Sequence, residues 1–264
     1  MLTEEVLKEF SLTNEETADF LSAYVVENGV PSDLEACITA ATALLPIVLD
    51  NRRRLAYRMG ALIVAETSLA SSDIARPDYL PLQFLVKDIA QCVGLAPGLH
   101  PVATSQLDPK TQLLERVTIL PYLEPDNPEV AGKALARMQG RAARRGKDAA
   151  RETARATALA NRVMYAWRLT GPENCRVCIT RAANGAIYHD KTAANRFTHD
   201  NCDCFLEVVE DVTSWQGQAM ADDLRDLIES HAEKSKGTYK NPRWPEIHKE
   251  YKERYQFLSI PKVG

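Results

Sequence analysis

Residues 175–204 read CRVCITRAANGAIYHDKTAANRFTHDNCDC and hold four of the six cysteines in the chain. Cys175-x-x-Cys178 opens the stretch, Gly185-Ala186-Ile187-Tyr188 follows, and His199-x-x-Cys202-x-Cys204 closes it. A CxxC turn brings two sulfurs to one point, and structural zinc sites are assembled from two such ligand pairs. Residues two apart on a strand face the same side, so Cys202 and Cys204 can present their sulfurs together. Cys175, Cys178, His199, Cys202 and Cys204 are therefore candidate ligands of a structural zinc ion, one more than a tetrahedral site needs. Reduced cysteines packed as small apolar side chains, or disulfides, are the alternatives.

Working outward, 264 residues can bury a core as one large domain or two small ones. A hydrophobic fraction of 45% and a charged fraction of 26% suit a soluble globular protein, and 12 glycines among many alanines and leucines favour helices. No run of 18 or more apolar residues is present, so no membrane span is expected. The amino terminus, MLTEEVLKEF, is acidic and amphipathic, unlike a signal peptide. A reducing cytoplasm follows as the expected compartment, where clustered cysteines favour metal over disulfide.

The net charge of −4 conceals an asymmetry. Residues 1–40 carry nine acids against Lys8 alone, while residues 133–168 carry ten bases against Asp148 and Glu152. Two different contact surfaces are implied, although solvated helix faces also explain an acidic head.

The expected fold is mainly α: a helical amino-terminal domain, a long linking helix and a small α+β Cys/His module. Thr13-x-x-Glu16 reads as a capping box and Asn28-Gly29 as a stop, giving a helix over 13–28. A second helix starts near Pro31-Ser32 and continues through Pro46 to about Ser71, with Cys37 on its apolar face. Arg52, Arg53 and Arg54 read first as a solvated patch on it, and second as a contact for acid or phosphate. Another helix is expected over 82–93, with Phe84, Leu85, Ile89 and Cys92 inward. Five prolines then make 94–127 an irregular crossing segment, with a short helix at 110–118. This first domain is 1–126.

Asn127-Pro128 starts a helix expected to reach Thr170 before Gly171-Pro172 ends it, making 127–170 a long basic element. Its first half is rich in alanine and arginine with few large apolar residues, so that half is expected to project or to lie on a partner. Arg137, Arg141, Arg144, Arg145, Arg151 and Arg155 are the candidate contacts to nucleic acid or protein. Its second half, with Leu159, Val163, Met164 and Trp167, is expected to dock on the cysteine module at 171–211. Strands are expected at Ala186–Tyr188 and Phe205–Val209, and a helix over 215–233. Residues 212–264 close the chain with a helix from Pro245 to Leu258. Its aromatic and basic residues suit either a binding tail or packing on the protein itself.

The run from the basic helix through Tyr165-Ala166-Trp167-Arg168 to CxxC, G-x-I-Y and H-x-x-C-x-C resembles the MuF-like minor capsid proteins of tailed bacteriophages, in the form found in phages of actinobacteria. The resemblance covers about residues 135–210, on Cys175, Cys178, Gly185, Tyr188, His199, Cys202 and Cys204. The loop 189–198 has its own sequence, and relatives often carry proline or arginine where this chain has Asp200 and Asp203. The resemblance implies head morphogenesis: a low-copy protein bound to portal or capsid proteins, inside the virion or in the host cytoplasm during assembly, acting on packaging or ejection of double-stranded DNA. Two rivals are a zinc-stabilised nucleic-acid-binding protein and a metal-dependent nuclease using His189, Asp190, His199 and Asp200. Catalytic zinc keeps an open position whereas cysteine-rich sites are closed, so no enzymatic activity is expected.

Overall fold

The structure, a computed structural model, describes residues 2–77, 79–95, 128–170, 174–187, 204–235, 238–240 and 242–255. It is mainly helical, as the composition requires. Helices α1 (Leu2–Asn28), α2 (Leu34–Glu66), α3 (Leu82–Cys92) and α4 (Pro128–Asn161) come first. Strand β1 (Met164–Arg168), helix α5 (Arg176–Ala183), strand β2 (Phe205–Val209) and helix α6 (Gln218–Ser230) follow, then β3 (Glu233–Ser235), β4 (Thr238–Lys240) and α7 (Trp244–Arg254). Two compact units are formed, one from 1–12, 52–78 and 147–264, the other from 13–51 and 79–146. Both are discontinuous in sequence, where the sequence reading divides the chain into consecutive segments.

In the second unit, Leu21, Cys37, Ala41, Leu44 and Val48 join Leu85, Ile89 and Cys92 in one buried cluster. The row Ala134, Met138, Ala142 adds α4 to it, at the four-residue spacing that keeps side chains on one helix face. Cys37 is core as expected, and burial raises its thiol pKa to about 11. Phe84 stays 40% exposed, its ring lying beneath the Arg145 guanidinium at 5.3 Å.

In the first unit, a two-stranded antiparallel sheet pairs β1 with β2 in the register Met164↔Val209 to Arg168↔Phe205. Tyr165, Phe205 and Leu206 are buried with Phe10, Leu55 and Met59, and with Leu224, Leu227, Ile247 and Tyr251. Here α4 supplies Ala150, Ala154 and Ala158, again four residues apart.

Three boundaries depart from the sequence reading. The first helix starts at Leu2, not Thr13, because Val6 and Phe10 continue its apolar face. Thr13 is wholly buried, and its carbonyl accepts from the Thr17 hydroxyl at 2.6 Å, so it caps nothing. At the other end the expected stop holds, with Gly29 at φ 76° donating its N–H to Val25 O at 2.9 Å.

Helix α2 is capped by Asp33, whose Oδ1 accepts from Ala36 N at 2.8 Å, and it ends at Glu66. It runs through Pro46, which faces solvent, so water can reach the Thr42 carbonyl that proline leaves unpaired. By length and composition α2 could also cross a membrane, although its buried face belongs to the cores just described.

The basic helix ends at Asn161, nine residues before Thr170, where Arg162 takes φ 57°. Met164 and Trp167, read from the sequence as one helical face, therefore lie on strand β1, where Trp167 is buried and Met164 is 39% exposed. Ala186 and Ile187 form a bend rather than a strand, and Tyr188 lies outside the described residues. The segment 96–127, including the expected helix at 110–118, lies outside them as well.

Two glycines on α4 give opposite expectations. A Cβ on Gly146 would stand 2.9 Å from Thr13 Cγ2 and 3.2 Å from Asn51 Cβ, while one on Gly132 meets nothing within 4 Å. Gly146→Ala should lower the unfolding free energy by about 1–3 kcal/mol. Gly132→Ala should raise it by about 0.5–1 kcal/mol through helix propensity alone. Urea denaturation of the two variants checks both signs.

Candidate functional site

The cysteine module is built around the start of α5. Cys175 is the N-cap of that helix, and its Sγ accepts from Cys178 N at 3.4 Å. Cys178 is 2% exposed and Cys204 1%, whereas Cys175 is only half-buried. The Cys204 thiol donates to Asn174 Oδ1 at 2.7 Å, and Asn174 Nδ2 donates to the Tyr251 hydroxyl at 2.7 Å. Tyr251 comes from α7, so the carboxy-terminal helix packs over the module. Burial pushes its hydroxyl well above the ordinary tyrosine range, the Cys204 and Cys178 sulfurs add to the rise, and the Asn174 bond opposes it.

The sequence reading named five ligands, and the described residues include three of them: Cys175, Cys178 and Cys204. His199 and Cys202 lie outside, as do His189, Asp190 and Asp200 of the nuclease rival. Among the described residues no group of three His, Cys, Asp or Glu side chains is placed to hold a metal ion. Sulfur is the donor zinc prefers, so the donor chemistry suits the ion, but the three described cysteines do not form its cage.

The six arginines read as partner contacts are placed differently from one another. Arg151 is 4% exposed, and the other five are half-buried. Arg145 makes a two-point contact with Asp88, at 2.5 and 3.1 Å, and Arg144 lies 3.7 Å from the same carboxylate. Arg141 donates to Gln91 Oε1 at 2.5 Å. Arg151 donates to Cys204 O and to Asp148 Oδ1, both at 2.8 Å. Of the expected solvated patch at 52–54, Arg53 stays exposed as expected, while its two neighbours are drawn into the fold. Arg52 is 1% exposed and bonds Glu152 Oε2 at 2.5 Å and Pro77 O at 3.0 Å, while Arg54 pairs with Glu9 at 3.1 Å.

Sequence reasoning missed an acidic cleft of about 440 Å³ lined by Glu66, Glu207, Glu210, Asp211, Trp215 and Gln216. Trp215 Nε1 donates to Glu207 Oε2 at 2.8 Å, with Arg168 at 3.7 Å from the same atom. Burial raises the Glu66 carboxyl above the ordinary range and Glu207 raises it further, while Arg168 pulls it down. No motif signals this cleft, since its residues come from three separate stretches of sequence.

The described part of the aromatic and basic tail packs on the protein itself. Ile247, Tyr251 and Tyr255 are buried, and Tyr255 and Arg254 both bond Asp223 of α6. His231 Nε2 lies 2.7 Å from Glu250 Oε2, and Arg254 bonds the other oxygen of that carboxylate. The His231 bond, then the Arg254 bond, holds Glu250 below its ordinary value of 4.5. A depressed carboxylate stabilises the fold above the unfolded value, and that contribution disappears as pH falls through the folded one. Glu250→Gln should therefore cost thermal stability at pH 7, and its difference from the native chain should narrow steadily below pH 4.5. A gap independent of pH would remove the carboxylate from this role.

No curated protein and no solved structure matches the chain. Residues 104–231, a little under half of it, match the family model described as VG15 protein. The span takes in the described residues of α4, the β1–β2 sheet, α5 and α6, with all of 175–204. This likeness, to a family of viral and phage gene products, supports a phage protein.

Proposed function

We propose that this chain is a minor capsid protein of a tailed phage, acting in head morphogenesis and bound to the portal or the inner capsid. One observation carries the reading: the ordered set Cys175, Cys178, Gly185, Tyr188, His199, Cys202 and Cys204 lies wholly inside the span matched to a phage family. The described part of that set adds a consistent architecture. A small sheet packs against a short cysteine-capped helix, and a part-buried hydrogen-bond chain ties Cys204 through Asn174 to Tyr251 of α7. The protein would meet its partners in the host cytoplasm during assembly and remain in the virion afterwards.

Protein contact is favoured over contact with packaged DNA. Arg145 and Arg151 already bond groups of their own fold, so much of the basic charge of α4 is committed before any phosphate arrives. Phosphate binding needs guanidinium groups able to displace counterions at the surface.

Peptide mass spectrometry of purified virions, together with copurification on tagged portal protein, tests the proposal. The chain should be found in virions at low copy and retained by the portal at moderate salt. Its absence from virions and from portal eluates alike would overturn the reading. DNA affinity falling steeply with salt, without portal retention, would replace it with nucleic-acid binding.

A further inference from the structure

The chain contains two Asn-Gly steps, Asn28-Gly29 and Asn184-Gly185. Such a step is open to spontaneous deamidation, because glycine has no side chain to keep its main-chain nitrogen from the asparagine Cγ. The two steps also share a backbone conformation. Each closes a helix, α1 or α5, and the glycines take φ 76° and 73°. In both, the attacking nitrogen is held by a hydrogen bond, from Gly29 N to Val25 O at 2.9 Å and from Gly185 N to Ala182 O at 3.0 Å. Reaction therefore waits for the turn to open, and the packing around each turn sets how often that happens.

That packing differs. Val26 is 88% exposed, Glu27, Asn28 and Gly29 are exposed as well, and a Cβ on Gly29 would meet nothing within 4 Å. Opening there breaks the Gly29 bond and the exposed bond from Asn28 Nδ2 to Tyr24 O, and buries or uncovers little else. Asn184 is exposed too, but Gly185 is buried between Ala183 and Ala186, themselves 4% and 2% exposed. A Cβ on Gly185 would lie 3.6–3.8 Å from Gln218, Ala221 and Trp215, and Arg225 of α6 donates to Ala183 O at 3.0 Å. Opening that turn means parting α5 from α6.

We propose that Asn28 is a site of spontaneous deamidation in the folded protein, with water as the co-reactant, and that the fold shields Asn184. This goes beyond the head-assembly reading and does not rest on it. In the opened turn the Gly29 nitrogen gives its proton to water and attacks Asn28 Cγ. The new N–Cγ bond closes a succinimide ring, the Cγ–Nδ2 bond breaks, and Nδ2 leaves as ammonia with a proton taken from water. Water then opens the ring. Addition at Cγ restores the ordinary main chain with aspartate, and addition at the main-chain carbonyl carbon leaves the chain running through Cγ as isoaspartate. One amide and one water become one carboxylic acid and one ammonia, with no change of oxidation state. The product sets a carboxylate beside Glu27 at the carbonyl end of α1, where the helix dipole disfavours negative charge. Isoaspartate also lengthens the α1–α2 connection by a methylene.

The full chain is kept in mildly alkaline buffer, natively and in urea, and the peptides carrying residues 28 and 184 are followed by mass spectrometry. Under native conditions Asn28 should convert at least roughly tenfold faster than Asn184, the ratio expected where local opening differs in free energy by 1.4 kcal/mol or more. In urea, where neither turn is folded, the two rates should converge. Asn28→Gln, which cannot close the same ring, should remove the isoaspartate signal from the native chain. Equal native rates, or an Asn28 that stays unconverted, would overturn the proposal. So would a gap that persists in urea, because the neighbouring residues and not the fold would then set it.

Discussion

The buried guanidinium of Arg151 is the contact on which the cysteine module depends. It donates to Cys204 O and to Asp148, and it lies 5.9 Å from the centre of the Phe10 ring. A cation taken out of water is costly unless its N–H groups are bonded, and here a carbonyl, a carboxylate and an aromatic face share that task. The carbonyl belongs to the residue just before β2, so the basic helix sets where that strand begins. From there the β1–β2 register follows, and with it the wall against which α5 packs. Replacing such an arginine would take a hydrogen bond from a buried carbonyl, and a bond lost from a buried polar group costs more than the contact itself is worth.

Alanine makes this arrangement possible. Ala150, Ala154 and Ala158 in one unit, and Ala134 and Ala142 in the other, let neighbouring backbone come close to α4. Helices approach one another at 8–10 Å depending on the side chains between them, and small ones give the shorter distances. The same helix then holds its arginines at the edges of the seam, where Asp88, Asp148 and Cys204 O meet them. Part of the charge that looks one-sided along the sequence is thus met in three dimensions, Arg144 and Arg145 by Asp88 of α3 and Arg151 by Asp148 of α4 itself. The exposed surface of α4 is accordingly less basic than the composition of residues 133–168 implies.

The module also has a cover. Tyr251 of α7 bonds Asn174, and Asn174 bonds Cys204, so two bonds link the last helix to the final cysteine of the motif. Asp223, Glu250, His231 and Arg254 hold that helix down with charged groups at the rim. Pairs of this kind are individually weak when exposed, and they act here mainly to fix the register of a helix whose buried face is Ile247, Tyr251 and Tyr255.

The sequence by itself determined the helical class, the stop at Asn28-Gly29, the α3 helix, the β2 strand and the clustering of cysteines. Each follows from local chemistry: a glycine able to take positive φ, an apolar period, a β-branched run, a fixed residue spacing. Tertiary structure alone decided the rest. The break at Arg162 turns Met164 and Trp167 from a helical stripe into a strand, because pairing with Phe205–Val209 outweighs a local pattern compatible with either state. Thr13 reads as a cap until Val6 and Phe10 gain a core to pack into. Arg52, Arg145 and Arg151 read as surface charge until distant residues, Glu152, Asp88 and the Cys204 carbonyl, come within bonding distance. A single sequence shows which residues can be charged or apolar, but the partner that makes a charge worth burying lies far along the chain, and only the fold brings the two together.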